Sequence, residues 1–347
     1  MKKILHIVSG LDMGGIEKWL CNIFSYKEEF ENIEFYIFSM HPTKKNIVDK
    51  LNISTKNIFF TKRNSVLSRM ASLIKVINEI NPDIIHIHTG YSSGIYAAIS
   101  RLVKKKSIVI IHSHSDRRLI ENNSNCLRKI YIRMMKKTIQ YLNVKRISVS
   151  IPSGISLYDK NFRVMYCGIK CDDENISIPI LNELKNKKLI FHIGRYTEAK
   201  NFPFIIELMK ELKYNCDIKF VFIGSELNQF QEILLKNNIQ NGLFLGEINN
   251  PYALMKKYAN LFILPSKWEG LPLSAIESQL ANVPTLISSN VTEEANIGLA
   301  SFLPLNLVLW KEKILESINL NVSIENLDYD KFSIKNNINS LKRLYNQ

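Results

Sequence analysis

The sequence lacks any long apolar segment. Its 347 residues contain no run of about 18 apolar residues, so nothing in it is expected to span a membrane. The N-terminus leads directly into a short apolar strand and has none of the features of a secretory signal. Cysteine is scarce as well, and the close pair Cys167 and Cys171 has no second pair to complete a zinc site. Free thiols without a signal predict a cytoplasmic protein.

Length and pattern predict two α/β domains. The chain is about twice the usual domain size, and 46% hydrophobic residues is ordinary for a globular core. Apolar strands alternate with helical segments, which is typical of parallel sheets. The predicted strands are 3–9, 33–39, 83–88, 107–112, 145–149, 163–167, 188–193, 218–223 and 261–264, and the predicted helices include 15–29, 65–80, 92–104, 202–213, 228–237 and 272–281. A linker is expected within Cys167–Asn186 and a final helix over Lys331–Tyr345.

The strongest functional signal is the string P-S-K-W-E-G-L-P-L-S-A-I-E-S from Pro265 to Ser278. It follows the apolar run Leu261–Leu264, so a strand, a glycine turn and a helix N-terminus come in succession. Backbone N–H groups at such a turn bind anions, usually phosphates. A carboxylate before the turn would repel phosphate, so Glu269 is expected to face sugar hydroxyls, and Glu277 could reach a ribose diol. The alternative makes Glu269 a solvated loop residue and Glu277 an exposed helix acid.

A second string, H-I-G-R-Y-T-E-A-K-N from His192 to Asn201, places two cations beside a glycine turn. Arg195 can donate a forked pair of hydrogen bonds to phosphate oxygens, and Lys200 can act as a mobile point charge. Both suit a diphosphate leaving group, whose negative charge a transferase must stabilise. Taken alone, the spacing also fits an ordinary surface pair.

The N-terminal glycines also favour a phosphorylated ligand. A strand over Lys3–Ser9 runs into the loop Gly10-Leu-Asp-Met-Gly-Gly15, and a glycine-rich loop at this place brings backbone close to phosphate. The loop is not G-x-G-x-x-G and no acid follows at dinucleotide spacing, so a nicotinamide cofactor is not expected. A tight turn that needs positive φ at one glycine is an alternative compatible with ligand binding.

In this order and about 70 residues apart, the two strings resemble family 4 of the retaining nucleotide-sugar glycosyltransferases. The resemblance is strongest over Leu189–Ser289 and implies the GT-B fold, an α/β architecture of two Rossmann-like domains facing across a cleft. It implies an acceptor domain over 1–168, a nucleotide-sugar domain over 169–330, and a helix over 331–347 that packs back on the first domain. The donor-binding residues that it implies are Gly14, Gly15, Arg195, Lys200, Gly270, Leu271, Pro272 and Leu273 at the diphosphate, Glu277 at the ribose, and the loop from Leu245 to Ile248 at the base.

Paired histidines end two successive predicted strands, His86 and His88 on one and His112 and His114 on the next. Both ends lie at the edge where open α/β sheets bind ligands, which favours a cleft-lining role over a structural one. The resemblance implies that a histidine after the later strand contacts the transferred sugar, and its T-x-H pattern favours His114, with His112 the alternative. His114 and Glu269 are thus the predicted catalytic residues. No protein base is required, since the leaving phosphate can take the acceptor's proton.

Charge is unevenly distributed. Residues 1–170 hold 28 Lys and Arg against 12 Asp and Glu, whereas residues 171–347 hold 18 against 20. The excess is concentrated in Leu127–Arg146, which has no acid. A helical wheel places the apolar Leu127, Ile130, Tyr131, Met134, Met135, Tyr141 and Leu142 opposite the basic Lys129, Arg133, Lys136 and Lys137, with Arg128 at the boundary. This pattern fits an interfacial helix on anionic lipid, or equally a core-packed helix with a basic solvated face. Nucleic acid is disfavoured because no binding motif accompanies the charge.

The sequence therefore predicts a retaining glycosyltransferase at the inner face of the plasma membrane. It would move a hexosyl or N-acetylhexosaminyl group from a nucleotide diphosphate, UDP being favoured over GDP, to a glycan or lipid-linked acceptor in capsule or other cell-surface polysaccharide synthesis. No cofactor and no metal are expected, since Arg195, Lys200 and helix N-termini supply positive charge. The alternatives are a nucleotide-sugar epimerase or hydrolase of the same fold and an inactive assembly component. The second is disfavoured because the charged residues of both strings are present.

Overall fold

The chain folds into two compact α/β units. The computed structural model describes residues 1–11, 14–41, 48–61, 65–320 and 329–346. Met1–Gly168 and Lys331–Gln347 form the first unit, and Ile169–Asp330 form the second. Each unit is a parallel sheet with helices between successive strands, so the predicted fold class is confirmed.

The first unit has a seven-stranded parallel sheet in the order β3-β2-β1-β4-β5-β6-β7. Its strands are β1 Lys2–Val8, β2 Ile33–Ser39, β3 Ile58–Phe60, β4 Ile84–Ile87, β5 Ile108–Ser113, β6 Lys145–Ser148 and β7 Arg163–Val164. Its helices before the domain boundary are α1 Gly15–Ser25, α2 Val66–Ile80, α3 Ser93–Val103, α4 Arg118–Asn122, α5 Cys126–Tyr141 and α6 Ile151–Tyr158.

The two faces of this sheet differ in chemistry. Because side chains alternate along a strand, Leu5 and Ile7 of β1 share one face, and they pack with residues such as Leu73 of α2 and Ala97 of α3 in an apolar core. His6 lies on the opposite face with the other strand-end histidines, where the fully buried Trp19 of α1 contacts them. A polar cluster is thus built into the interior of the first unit.

The second unit has a six-stranded parallel sheet in the order β10-β9-β8-β11-β12-β13. Its strands are β8 Lys188–Ile193, β9 Ile218–Ile223, β10 Gly242–Gly246, β11 Leu261–Leu264, β12 Thr285–Ser288 and β13 Ala300–Leu303. Its helices are α7 Pro179–Glu183, α8 Phe202–Glu211, α9 Asn228–Lys236, α10 Pro251–Tyr258, α11 Leu273–Leu280 and α12 Leu307–Ser317. In both sheets successive strands are first added on one side of the first strand and then on its other side. This reversal of strand order creates a topological switch point between β1 and β4 and between β8 and β11.

A last helix, α13 Ile334–Asn346, belongs to the first unit. Trp19 Nε1 donates a hydrogen bond to Asn337 Oδ1 at 2.8 Å, and Asn337 Nδ2 donates to the Tyr166 carbonyl at 2.6 Å. Tyr345 is fully buried against the histidine cluster. Among the described residues no helix is both long and apolar enough to cross a membrane.

Several elements escaped prediction. The missed strands are β3, β10, β12 and β13, and the missed helices are α4, α6, α7, α10 and α12, of which α7 lies within the predicted linker. These strands have three to five residues, and three of them carry glycine, serine or threonine, so they lack the apolar run that marks a central strand. Leu245 and Gly246 therefore belong to a strand and not to the predicted loop.

Candidate active site

The two predicted strings meet at the carboxyl edge of the second sheet. β8 ends at Ile193, just before Gly194, and its neighbour β11 ends at Leu264, just before Pro265. This is the switch point of the sheet, where open α/β folds bind ligands in the crevice beyond the strand ends. Lys267 N donates to the Ala199 carbonyl at 2.8 Å, which ties the two loops together.

An ion pair at the centre of this junction joins one residue from each string. Lys200 Nζ lies 2.7 Å from Glu269 Oε1, and the two side chains are only 16% and 15% exposed. Ser266 Oγ donates to the same carboxylate oxygen at 2.8 Å. A Cβ at 194 would lie 2.7 Å from Lys200 Cε, so a larger residue there would push this side chain from its position beside Glu269. Lys200 is thus anchored and not mobile, and the interpretation of Glu269 as a solvated loop residue is wrong.

Arg195 differs from Lys200 in its surroundings. It is exposed immediately after Gly194 and makes no hydrogen bond or ion pair with any part of the chain that the structure describes. A guanidinium without a carboxylate partner retains all of its donors for a ligand. Of the two cations in the string, Arg195 is the one available for an incoming anion.

The helix that begins within the Pro265–Ser278 string has no side-chain cap. α11 starts at Leu273, and Pro272 occupies the N-cap position, not the first helical turn as predicted. Its first N–H groups therefore lack intrahelical partners, and the positive end of the helix dipole lies at the glycine turn. Gly270 and Leu271 are buried there. Glu277 is 2% exposed, so the interpretation as an exposed helix acid is wrong.

Ile248, which was predicted to lie at the nucleotide base, follows the end of another strand of the second unit. Ile248 is half-buried two residues after β10, and the preceding Gly246 has φ +68°. Gly224 N donates to the Gly246 carbonyl at 2.8 Å and Gly194 N donates to the Ile223 carbonyl at 2.9 Å. The ends of β8, β9 and β10 are therefore held side by side at the same edge as the ion pair.

In the first unit, Gly14 and Gly15 begin α1. Gly14 is the N-cap in extended conformation, with φ −153°, and Lys18 N donates to its carbonyl at 2.9 Å. Neither glycine has positive φ, so the tight-turn interpretation is wrong. A Cβ at Gly15 would meet no atom of the described chain within 4 Å. This open backbone leaves room for the close approach of a ligand.

Five histidines form a cluster at the carboxyl edge of the first sheet, and three of them are linked in a chain. His6 Nδ1 lies 3.0 Å from His88 Nε2, and His88 Nδ1 lies 2.9 Å from His114 Nε2. His86 is bound separately, through Nδ1 to the Tyr345 hydroxyl at 2.9 Å. His112 is fully buried, and in the described structure its ring makes no well-formed hydrogen bond, only a contact with the Met165 backbone.

Burial keeps this cluster neutral. Desolvation lowers the pKa of His6 and of His114 to about 3, and it lowers the pKa values of His86, His88 and His112 well below the ordinary 6.5. Repulsion among the neighbouring imidazoles adds to the lowering at the last three. At neutral pH each ring therefore carries one N–H donor and one acceptor nitrogen.

The buried end of the histidine chain, His6, determines the direction in which its hydrogen bonds are donated. His6 Nε2 is buried without a partner in the described structure. If protons pointed from His114 toward His6, that nitrogen would be an orphaned N–H donor, the costlier of the two defects. We therefore assign the direction in which His6 donates to His88 and His88 donates to His114. His114 then carries its hydrogen on Nδ1 and presents a donor to a ligand.

The same nitrogens have the spacing of a metal site. Ligand atoms of His6, His86 and His88, and separately of His88, His112 and His114, lie within 4.8 Å of one another. His88 already uses both nitrogens in the hydrogen-bonded chain. A metal ion could bind to either set only by breaking that chain.

Exposure separates the four predicted histidines. His86 and His112 are 0% exposed, so the prediction that they line a cleft is wrong; Trp19 and Tyr345 cover them. His114 is half-buried and, with His88, lines a cavity of about 300 Å³, part of it open to solvent. Sequence reasoning missed His6, whose only signal was a histidine inside an apolar strand, and Arg117, which lines the same cavity.

The basic helix α5 differs from its helical-wheel prediction. Its buried stripe consists of Ile132, Met135 and Ile139, so Met135 is not on the predicted apolar face. Lys136 is not on the basic face, because it pairs with Glu121 at 3.0 Å and with Asp159 at 3.5 Å. The helix ends at Tyr141, which leaves Leu142 outside it.

The remaining apolar residues of α5 point to solvent. They are Leu127, Ile130, Tyr131, Met134 and Tyr141, with exposures between 38% and 87%. At about 100° per residue this exposed stripe is flanked by an exposed row of Lys129, Arg133 and Lys137, four residues apart. We call the two rows the amphipathic surface of α5. These exposed side chains are not packed on the core, whereas Ile132, Met135 and Ile139 of the same helix are, so α5 is packed on the core and also presents an amphipathic surface.

Comparison with known proteins agrees with this arrangement. The model for glycosyl transferases group 1 matches residues 173–296, in the second unit, and the model for glycosyl transferase 4-like proteins matches residues 24–145, in the first. The chain is 25% identical over 362 residues to the capsular polysaccharide biosynthesis glycosyltransferase CapH of Staphylococcus aureus, covering 99% of both chains.

Solved structures share the fold. TarM superposes with a TM-score of 0.74 at 13% identity, covering 100% of this chain and 99% of TarM. Anabaena HepE, solved in complex with UDP and glucose, superposes with a TM-score of 0.72 at 16% identity, covering 99% of this chain and 95% of HepE. The chain belongs to the group 1 and 4-like glycosyltransferases and is an enzyme of that family with the GT-B fold.

Proposed function

We propose that this glycosyltransferase transfers a hexosyl or N-acetylhexosaminyl group, with retention, from a nucleotide diphosphate to a glycan or lipid-linked acceptor in cell-surface polysaccharide synthesis. The observation that carries the proposal is the junction at the second switch point, where Lys200, from the loop after β8, pairs with Glu269, from the loop that leads into the uncapped N-terminus of α11. The name of CapH supports the polysaccharide role, and the UDP bound to HepE supports UDP as the favoured nucleotide.

Each group at the junction has a distinct role in this proposal. Arg195 and the N–H groups at the start of α11 bind the diphosphate and stabilise its charge as it leaves. Lys200 supplies a fixed positive charge, and its partner Glu269 retains a second carboxylate oxygen to accept hydrogen bonds from sugar hydroxyls. Glu277 binds the ribose, and Ile248 lines the base.

His114 contributes a donor and not a base. Burial lowers the pKa of His114 to about 3, so the neutral ring is a weak proton acceptor. With its hydrogen on Nδ1, it can donate to an oxygen of the transferred sugar. The acceptor's proton then goes to the leaving phosphate, and the protein accelerates the reaction by position and electrostatics.

The proposal is tested with purified protein, a set of UDP-, GDP- and ADP-sugars and a polyprenyl-diphosphate saccharide acceptor. A donor that binds only the native state should raise its melting temperature, and the sugar should appear on the acceptor with its anomeric configuration retained. Donor consumption without an acceptor would instead identify a hydrolase or epimerase. Absence of any nucleotide binding would identify an inactive component.

We expect the transfer to need no divalent metal, because Arg195, Lys200 and the α11 N-terminus supply positive charge at the diphosphate. Initial rates should be unchanged by EDTA. The chain contains one Asp-x-Asp triplet, Asp328-Tyr-Asp330, whose first residue lies outside the described structure and whose carboxylates are suitable oxygen ligands for Mg²⁺. Activity that EDTA abolishes and Mg²⁺ or Mn²⁺ restores would contradict the prediction, and Asp328→Asn would then test that triplet.

We also propose that the amphipathic surface of α5 adsorbs to anionic membranes. Each basic side chain near such a surface contributes about 1 kcal/mol, so Lys129, Arg133 and Lys137 together contribute about 3 kcal/mol. Replacing all three by Ser should lower binding to anionic vesicles roughly a hundredfold. Screening over a Debye length of about 8 Å should weaken wild-type binding as salt increases.

The matched control for this surface is Lys105→Ser with Lys106→Ser, two exposed lysines in the turn after α3. This double variant should bind vesicles almost as well as wild type. Lys136 is left intact because its ion pairs hold α5 in place. Equal flotation of the wild type with neutral and anionic vesicles would contradict the membrane proposal.

A further inference from the structure

Arg117 places a guanidinium in the cavity of the first unit without a carboxylate partner. It makes no ion pair within the described chain, although it is only partly exposed. Its backbone N–H donates to Ser156 Oγ at 2.9 Å. A Cβ at Gly90, which has φ +63°, would lie 3.2 Å from Arg117 Cζ, so the guanidinium lies against a position where glycine is favoured for both space and conformation.

The acids around Arg117 are already paired with other groups. Asp116 pairs with Arg118 at 2.6 Å, and Glu121 accepts from the Tyr91 hydroxyl at 3.0 Å and pairs with Lys136 at 3.0 Å. Burial lowers the pKa of the Arg117 guanidinium, and repulsion from Arg128 on α5 lowers it further. A desolvated cation without a counterion is costly, and a bound anion would offset that cost.

The other groups at the cavity are suited to an oxyanion. Ser115 contributes a hydroxyl to the lining of the cavity beside Arg117. Ser156 Oγ accepts from Arg117 N and is also hydrogen-bonded to the Tyr91 hydroxyl, so Ser156 holds the Arg117 backbone in place at the cavity. A forked guanidinium beside a hydroxyl, with no carboxylate among the described residues that line the cavity, matches the tetrahedral oxygens of a phosphate.

The Arg117 cavity and the groups proposed to bind the donor diphosphate belong to different units of the chain. Arg117 belongs to the first unit, whereas Arg195 and Lys200 belong to the second. Arg117 directly precedes α4, and α4 packs against α5, the helix with the amphipathic surface. A ligand with both a phosphate and a lipid chain could therefore use the cavity and that surface together.

We propose that the Arg117 cavity binds a phosphate of the acceptor, so that the acceptor is a lipid-linked saccharide phosphate or diphosphate and not a neutral glycan. The inference rests on the proposed glycosyl transfer for the identity of the ligand as acceptor. The binding site itself is independent of it. Its recognition element is the forked guanidinium, which Lys cannot reproduce.

A binding experiment tests the site without any turnover. Inorganic pyrophosphate is titrated calorimetrically into full-length protein in the presence of saturating UDP, which occupies the donor site. Wild type should bind it, Arg117→Gln should bind it about ten- to a hundredfold more weakly, and Arg117→Lys should be intermediate. The control Arg118→Gln changes an adjacent arginine that is paired with Asp116 and should bind as wild type does.

Two further arms identify the source of the phosphate. With a saccharide-diphosphate-lipid acceptor, Arg117→Gln should raise the acceptor KM about ten- to a hundredfold and leave the donor KM unchanged, whereas with an alkyl glycoside of the same sugar neither should change. On vesicles of neutral lipid with phosphatidic acid, Arg117→Gln should adsorb as wild type does. Melting temperatures equal to that of Arg118→Gln verify that the variant folds.

Three results would overturn the inference. The first is unchanged pyrophosphate binding in a folded Arg117→Gln variant. The second is an equal loss in Arg118→Gln, which would indicate a general charge effect. The third is a loss of vesicle adsorption in Arg117→Gln, which would indicate bulk lipid headgroups as the ligand. Failure of glycosyl transfer with Arg117-dependent pyrophosphate binding intact would instead refute the proposed function and leave the anion site standing.

Discussion

Acidification from pH 7.5 to pH 5.5 should destabilise the first unit far more than the second. The pKa values of His6, His86, His88, His112 and His114 are lowered in the folded first unit, whereas His192, with a pKa of about 3, is the only such histidine described in the second. The unfolded chain has histidine pKa values near 6.5, so it binds more protons below that pH. Stability is therefore fully present above about pH 6.5 and is lost as the pH falls toward the folded values.

The size of this effect is large relative to domain stability. Each neutral buried histidine contributes up to about 1.4 kcal/mol per pH unit once the pH is below the unfolded pKa. Five of them over this interval give at most about 7 kcal/mol, within the usual 5–15 kcal/mol of a whole domain. Hydrogen exchange followed by mass spectrometry should show protection lost from β1, β4 and β5 first, with β8, β9 and β11 still protected.

His112→Leu provides the matched variant. His112 is fully buried and makes no well-formed hydrogen bond in the described structure, only a contact with the Met165 backbone, so an apolar side chain of similar size should cost little at pH 7.5. It should reduce the pH dependence of the unfolding free energy by about one proton below pH 6. Protection that is the same at pH 7.5 and pH 5.5 in β1, β4 and β5 would contradict the assignment of a neutral histidine cluster.

Loss of Lys200 should reduce kcat/KM by roughly a hundredfold or more. Lys200→Met removes a charge-assisted contact to the diphosphate, for which about 1.5–3 kcal/mol is typical. It also leaves the Glu269 carboxylate, 15% exposed, without its cation and next to a leaving group of the same charge. Because part of the loss comes from the unpaired Glu269 carboxylate, Glu269→Gln added to Lys200→Met should restore part of the activity. The effects of the two substitutions are therefore not additive.

A second ion pair between the same two strings offers the control. Lys267 Nζ lies 3.3 Å from Glu198 Oε1, with side chains 39% and 75% exposed. Solvent screens such a pair, which is worth about 0–1 kcal/mol, so Lys267→Met should change kcat/KM little. Steady-state kinetics of wild type, Lys200→Met, Glu269→Gln and the double variant measure the loss of the cation and the effect of the unpaired carboxylate. Lys267→Met is measured alongside them. Strict additivity, or equal damage from Lys267→Met, would contradict the role assigned to the Lys200–Glu269 pair.

Continuous apolar runs predicted the central strands well. The predicted bounds of 33–39, 188–193, 218–223 and 261–264 match β2, β8, β9 and β11 to the residue. These strands have unbroken apolar cores, which is the sequence signature of a strand buried on both faces. The short outer strands β3 and β13 are partly exposed and carry no comparable pattern, and the four-residue β12 mixes Thr and Ser with its apolar residues.

The helical wheel of α5 shows which features of a helix local periodicity can predict and which it cannot. It separated apolar from basic positions, but it could not tell which apolar positions face the core, because Ile132, Met135 and Ile139 form a second apolar stripe. Which stripe is buried depends on where α3 and α6 pack against the helix. The assignment of Lys136 to the solvated face failed for the same reason, since its partners Glu121 and Asp159 come from other elements.

By itself the sequence determined the kind of site: a glycine turn with cations, a glycine turn with carboxylates, and strand ends rich in histidine. These are local features, and local steric and electrostatic rules are enough to interpret them. Only the tertiary structure decided which of these residues touch. It brought Lys200 to Glu269, linked His6 through His88 to His114, and left Arg117 without a carboxylate partner among the residues that the structure describes. The reason is that parallel crossovers bring distant strand ends to one edge, and burial there sets which groups are paired and which are neutral.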